Sequence, residues 1–259
     1  MAAVGDIVRS GDLELHAHLA HPSPGAAASG RPGLVLCHGF PTGALGGAAS
    51  GRTYPELADR LAAAAGWTVL SFNFRGTGGS GGDFSLGGWL TDVRSAVDHL
   101  LATGEVGGVW LAGASTGGSL AICEAAEDTR VGGVAALSAR ADFDDWAAHP
   151  RRFLEHSRAI GVVRRRDFPA RMDEWTRELK ELRPLARAAQ LAPRPLLLIQ
   201  GSEDDLVPAL DARALADCHG SAELRIINGA GHGLRHDPRA IAVLLGWLER
   251  QAGRPATRP

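Results

Sequence analysis

Apolar residues in this chain fall into short unbroken runs, and between the runs lie stretches whose apolar positions recur at helical spacing. Gly33 to Cys37, Trp67 to Phe72, Val106 to Ala112, Val131 to Leu137, Pro195 to Ile199 and Ala222 to Ile227 have strand length and are bounded by Gly, Pro or polar residues. Most lack alternation, as strands buried on both faces of a parallel sheet should. Helical spacing runs from Tyr54 to Ala65, about Leu86 to Leu101, Thr116 to Ala126, Pro208 to Cys218 and Pro238 to Arg250. Thr53 is placed to cap the first of these, Pro55 sits in its first turn and Gly66 ends it. One segment differs. Leu13 to Leu19 alternates strictly, with His16 and His18 on the polar face, and reads as an edge strand with one solvated side. With no third ligand nearby, that His pair reads as a solvated face rather than a metal site. His21 to Pro32 reads as a loop, and Ala252 to Pro259 as a frayed end.

Strands and helices that take turns in this way predict an α/β fold, a mostly parallel central sheet with helices on both faces. The alternation stops at Ser138. Residues 139–191 are charged, Arg-rich and poor in strand signal, with Trp146, Phe153, Phe168 and Trp175 spaced along them. They read as a helical cap insertion into a core formed by residues 1–138 and 192–259. A length of 259 residues agrees with one such domain.

Composition narrows the function classes. The chain is 45% hydrophobic and 22% charged, so it can bury a large core unaided. A net charge of -2 argues against a nucleic-acid partner, which would need concentrated Lys and Arg. The cysteines Cys37, Cys123 and Cys218 are odd in number and widely separated, so they read as buried, reduced thiols rather than a disulfide framework. No run approaches about 18 apolar residues and the N-terminus has no leader pattern, so a soluble cytoplasmic protein with no membrane partner is expected.

The chemistry concentrates in three turns. Gly113-Ala-Ser-Thr-Gly117 fits G-x-S-x-G and stands between a predicted strand and a predicted helix, the setting of a nucleophile elbow at Ser115. A serine hydroxyl needs a base, and the base needs an orienting acid. After Pro195 to Ile199 comes the carboxylate-bearing loop Gly201 to Pro208, and after Ala222 to Ile227 comes a histidine framed by glycines, Gly231-His232-Gly233. His232 is preferred to His236, which lies at the start of the last helix. Glycine-rich Arg75 to Gly82 lacks the Lys-Ser/Thr ending of a phosphate loop, and no cofactor or metal is implied.

In these motifs the chain resembles the α/β-hydrolase superfamily, and within it the lidded bacterial esterases of the cinnamoyl-esterase-like and serine-aminopeptidase-like groups. The resemblance spans about Gly33 to Arg250 and rests on His38-Gly-Phe-Pro41, Arg75-Gly-Thr-Gly78 with Ser80, Gly113 to Gly117, Gly201 to Pro208 and Gly231-His232. It implies a catalytic triad of Ser115, Asp204 and His232, with Asp205 as the alternative acid. It also implies an oxyanion hole made by the backbone N–H groups of Phe40 and Thr116, and a structural role for His38. Trp146, Phe153, Phe168 and Trp175 become candidates for substrate contact, although packing of the cap would use the same residues. Asn73 departs from the family pattern, which often has Asp there.

The expected function is hydrolysis of a small-molecule carboxylic ester through an acyl-enzyme, by a monomer or small homo-oligomer. A thioesterase or peptidase, a non-hydrolytic use of the same triad, and a binding module of the same fold are the alternatives.

Overall fold

The computed structural model describes residues 5–23, 30–43 and 46–252. Residues 24–29 of the expected loop from His21 to Pro32, and residues 253–259 of the expected frayed end, lie outside the described residues. Ala252 closes the last helix.

The elements run β1 (Asp6–Ser10), β2 (Leu13–Ala20), β3 (Arg31–Cys37), α1 (Gly46–Ala49), α2 (Tyr54–Ala65), β4 (Thr68–Phe72), α3 (Leu86–Ala102), β5 (Val106–Ala114), α4 (Thr116–Glu127) and β6 (Val131–Leu137). Then come α5 (Asp144–Ala148), α6 (Pro150–Ala159), α7 (Met172–Glu181), α8 (Pro184–Leu191), β7 (Leu196–Gly201), α9 (Ala209–His219), β8 (Glu223–Ile227), a 3-10 turn (Leu234–His236) and α10 (Pro238–Ala252). The strands form one sheet in the order β1-β2-β4-β3-β5-β6-β7-β8. From β4 to β8 the pairs are parallel, and β1 and β2 are antiparallel additions at one side. This is the α/β architecture that the alternation predicts.

Strand pleating divides the core into two layers, because successive side chains point to opposite faces. On β3, Val35 and Cys37 join Trp89, Val93 and Val97 of α3 and Leu120 of α4. Leu34 and Leu36 turn the other way, toward Leu57 and Leu61 of α2 and Leu244 and Trp247 of α10. The inner parallel strands therefore need apolar residues on both faces.

Between β6 and β7 the chain forms helices α5 to α8. The segment from α5 to α7 is tied to the loop after β4 and the first turn of α3 by Phe84 N–H to the Val162 carbonyl (2.9 Å), Trp175 Nε1–H to the Phe84 carbonyl (3.2 Å) and Gly87 N–H to Glu178 Oε2 (3.0 Å). The Asp83 side chain is 1% exposed and accepts from the backbone N–H groups of Arg164 and Arg165 and from Arg165 Nε. Burial alone would raise its pKa, but these donors hold it below the ordinary carboxylate value. Helix α8 packs instead against α4 and α9.

Three expectations need correction. The strand at Leu13 is not the sheet edge, since β1 lies outside it through the register Ser10↔Leu13 to Asp6↔Ala17. Strand β1 offers only Ile7 and Val8 as apolar residues, too few to make a pattern, although the two-residue Gly11-Asp12 turn is a hairpin signal. Thr53 makes no side-chain cap to α2: its φ of -97° and ψ of 3° are not the extended geometry of a capping residue, and Pro55, the second residue of the helix, has no N–H to offer. Cys37 and Cys123 are buried free thiols, whereas Cys218, also free, is exposed on α9.

Candidate active site

Ser115 is the single residue between β5 and α4, with φ 51° and ψ -125°. Only Ser115 and Ser138 among the described non-glycine residues have positive φ. The chain reverses so tightly here that a Cβ on Gly113 would strike the backbone of Gly117, and one on Gly117 would strike the carbonyls of Cys37 and His38. Glycine is required at both positions. Thr116 opens α4, so its N–H belongs to the first turn, whose donors have no acceptor within the helix. The loop after β3 lies against this turn, since a Cβ on Gly39 would stand 3.1 Å from the Ala114 carbonyl oxygen and from Ser115 Cβ. Phe40 follows and shares cavity walls with Ser115.

His38 anchors that loop from beneath. It is 1% exposed, its Nδ1 lies 2.8 Å from the Gly39 carbonyl oxygen, and its Nε2 accepts from Phe74 N–H at 3.2 Å. The proton therefore resides on Nδ1. Burial, and secondarily the charge of Arg235, push its pKa down to about 4 even though the Gly39 bond opposes the shift.

Asp204 and His232 come from the loops after β7 and β8. Asp204 Oδ2 and Oδ1 lie 3.0 and 3.1 Å from His232 Nδ1. Oδ1 also accepts from the N–H groups of Leu206 (3.0 Å) and Val207 (2.9 Å), and Oδ2 from Gln200 Nε2 (3.0 Å). Burial works to raise the Asp204 pKa, but the Val207 amide, His232 and Ser138 lower it below the ordinary value. Asp205 is exposed and lines a cavity, and among the described residues it has no bond to His232. His236 is exposed in the 3-10 turn.

Ser138 escaped notice in the sequence except as the point where the alternation ends. It follows β6 with φ 50° and is 1% exposed, and its N–H bonds the Ile199 carbonyl at 2.8 Å. Its hydroxyl lies 3.5 Å from the His232 carbonyl oxygen and is near enough to the Asp204 carboxylate to help lower its pKa. No motif marks it, because its role arises where three strand ends converge.

Ser115 and His232 both line two cavities. One, of about 300 Å³, is walled by Phe40, Trp146 and Phe153, with Arg140, Asp145, His156 and Asp205 at its margin. Trp146 and Phe153 stack with centroids 4.2 Å apart, and Arg140 is paired with Asp145. The other, of about 380 Å³, lies toward α1 and α2 and includes Arg52, Tyr54 and Arg235. Of the four aromatics singled out between residues 139 and 191, Trp146 and Phe153 line the first cavity and neither Trp175 nor Phe168 lines either. Trp175 is buried behind Phe153, and Phe168 lies under the Arg165 guanidinium. Among the described residues no cluster of three or more His, Cys, Asp or Glu could hold a metal, and no helix is long and apolar enough to cross a membrane.

Comparison with known proteins bears on the fold. The family described as "Alpha/beta hydrolase family" matches residues 34–244. Est1E from Butyrivibrio proteoclasticus, in a structure with bound ferulic acid, superposes with a TM-score of 0.69 at 20% identity, covering 95% of this chain and 96% of that one. An esterase from Pyrococcus furiosus, PF2001, gives 0.67 at 18% identity over 96% and 91% of the two chains. An alpha-beta serine hydrolase homologue from Coxiella burnetii gives 0.61 at 19% identity over 97% and 98%.

Proposed function

The chain belongs to the alpha/beta hydrolase family, and from that footing we propose that it is a serine hydrolase cleaving carboxylic esters through Ser115, His232 and Asp204. The observation that carries this reading is the His232 imidazole, held through Nδ1 by Asp204 at 3.0 Å on the wall of a cavity that Ser115 also lines.

With its proton on Nδ1, shared with Asp204, His232 keeps Nε2 free as a base. Ser115 Oγ attacks the ester carbonyl carbon as its proton passes to Nε2. The carbonyl oxygen becomes an oxyanion, and the N–H groups of Thr116 and Phe40 donate to it. Collapse breaks the carbon–oxygen bond to the alcohol, which leaves with the proton from Nε2. Water then repeats the sequence on the acyl-enzyme, releasing the acid and free Ser115. No step calls for a metal or cofactor.

In this reading residues 139–191 supply the roof of the pocket. Trp146, Phe153 and Phe40 give an aromatic wall suited to a flat or apolar substituent of the ester, and the ferulic acid held by Est1E is a ligand of that kind. The test is a fluorophosphonate probe together with aryl esters of graded acyl length. One adduct at Ser115, with hydrolysis reduced to near background in Ser115→Ala, is the expected result. Failure of the folded protein to label would reduce it to a ligand-binding member of the family, and labelling at another serine would overturn the triad.

A further inference from the structure

The two cavities beside Ser115 differ in charge. Where the aromatic cavity contains a guanidinium, that of Arg140, a carboxylate partner is at hand in Asp145. The larger cavity has Arg235 and Arg52 on its wall and no carboxylate among its described lining residues. Arg235 is partly buried, and among the described residues its guanidinium forms neither a hydrogen bond nor an ion pair. Nε is sealed from solvent without a partner, and Cζ stands 5.7 Å from the centroid of the Tyr54 ring. A guanidinium resting on an aromatic face is held in place while its outer N–H groups remain unused. Its charge is felt nearby, where it helps to keep buried His38 neutral. Arg52 is exposed and adds to the same wall a second cation that is unpaired among the described residues.

We propose that this cavity is an anion subsite, and that the preferred ester carries a carboxylate on the substituent that enters it, gripped by Arg235 with Arg52 alongside. The proposal rests on the reading of Ser115 as nucleophile. A cationic wall in a concave site concentrates anionic substrates, and the planar fork of Arg235 matches a carboxylate. The substrate class is thus an ester with one aromatic or apolar portion and one acidic portion, divided between the two cavities.

The test compares p-nitrophenyl half-esters of adipic, pimelic and suberic acid, whose chains are too long for ready attack on their own ester, with the matching methyl diesters. For the best-fitting length, kcat/KM of the half-ester should exceed that of its neutral partner by about tenfold or more, the scale of one or two charge-assisted bonds. Its KM should rise with salt. Arg235→Gln should bring the ratio close to one, and Arg235→Lys should keep part of it. A ratio at or below one at every length, or one that Arg235→Gln leaves intact, would overturn the subsite. Circular dichroism excludes misfolding, and Arg52→Gln gives a second variant outside the buried contact with Tyr54. Rates of Ser115 modification by a phosphonate with a carboxylate tail and by its methyl ester give the same comparison without turnover. Labelling at Ser115 with no charge preference removes the subsite alone, whereas no labelling by either probe removes the hydrolase reading itself.

Discussion

Asp204 and His232 are joined by a forked contact, both carboxylate oxygens lying within 3.1 Å of the same imidazole nitrogen. The neighbouring Asp205 faces the aromatic cavity instead. Successive loop residues point in different directions, so the assignment of the acid can be tested by substituting each in turn.

Asp204→Asn should lower kcat by about three to four powers of ten, since an amide neither stabilises the imidazolium nor secures the tautomer. Asp205→Asn should cost far less. Steady-state rates on both folded variants decide the matter, and the opposite ranking would assign the acid to Asp205.

Ser138 is expected to act through Asp204 and His232 rather than on substrate. Ser138→Gly removes the hydroxyl but suits φ 50°, so it should lower kcat by about tenfold, the worth of one hydrogen bond to a charged group, without lowering Tm. Ser138→Ala should lower both, because alanine keeps the strain. If kcat stays normal in both variants, the residue serves only the turn.

The cap aromatics should separate by position. Trp146→Ala opens the aromatic cavity and should change the ranking of esters by acyl group. Trp175→Ala empties a site 3% exposed and should cost about 3–5 kcal/mol of stability with the ranking unchanged. Thermal melts and a panel of esters distinguish the two, and an unchanged ranking in Trp146→Ala would place that residue in packing.

His38 should leave a mark on the pH dependence of stability. Its folded pKa of about 4 lies below the ordinary 6.5, so between those values the unfolded chain binds a proton that the folded one refuses. Stability should therefore fall as pH drops through that window, by about 2 kcal/mol between pH 7 and pH 5 from this residue alone. His38→Asn, which keeps a donor for the Gly39 carbonyl, should flatten the slope in urea denaturation measured across that range. An unaltered slope would mean that other groups set it.

How much was legible depended on whether one residue or an assembly carries the signal. Strands β3 to β7 announce themselves because burial on both faces forces apolar runs, whereas β8, at the sheet edge, carries Glu223 and Arg225, and the tight turn at Ser115 leaves its glycines as a trace. The resemblance to the α/β-hydrolases singled out Asp204 and His232, and the structure sets them against each other. Strand β1 left almost no trace because it is short and mostly polar. Trp146 and Trp175 could not be told apart, since lining a pocket and filling a core call for the same side chain. Ser138, Arg52 and Arg235 had no motif to betray them. Their surroundings are built from segments distant in the chain.

The carboxylate of Asp83, beneath the amides of Arg164 and Arg165, bears on how such a roof could be exchanged between relatives. A graft of residues 139–191 alone would be discontinuous with its own foundation, because Asp83 and Phe84 belong to the recipient and Val162, Arg165 and Trp175 to the donor. A mismatched donor would strand a buried negative charge and leave the Phe84 amide without its acceptor. The unit that can be inherited or transplanted intact is thus a pair of segments, the loop after β4 together with the cap, and chimaeras that move both should fold where those that move one do not.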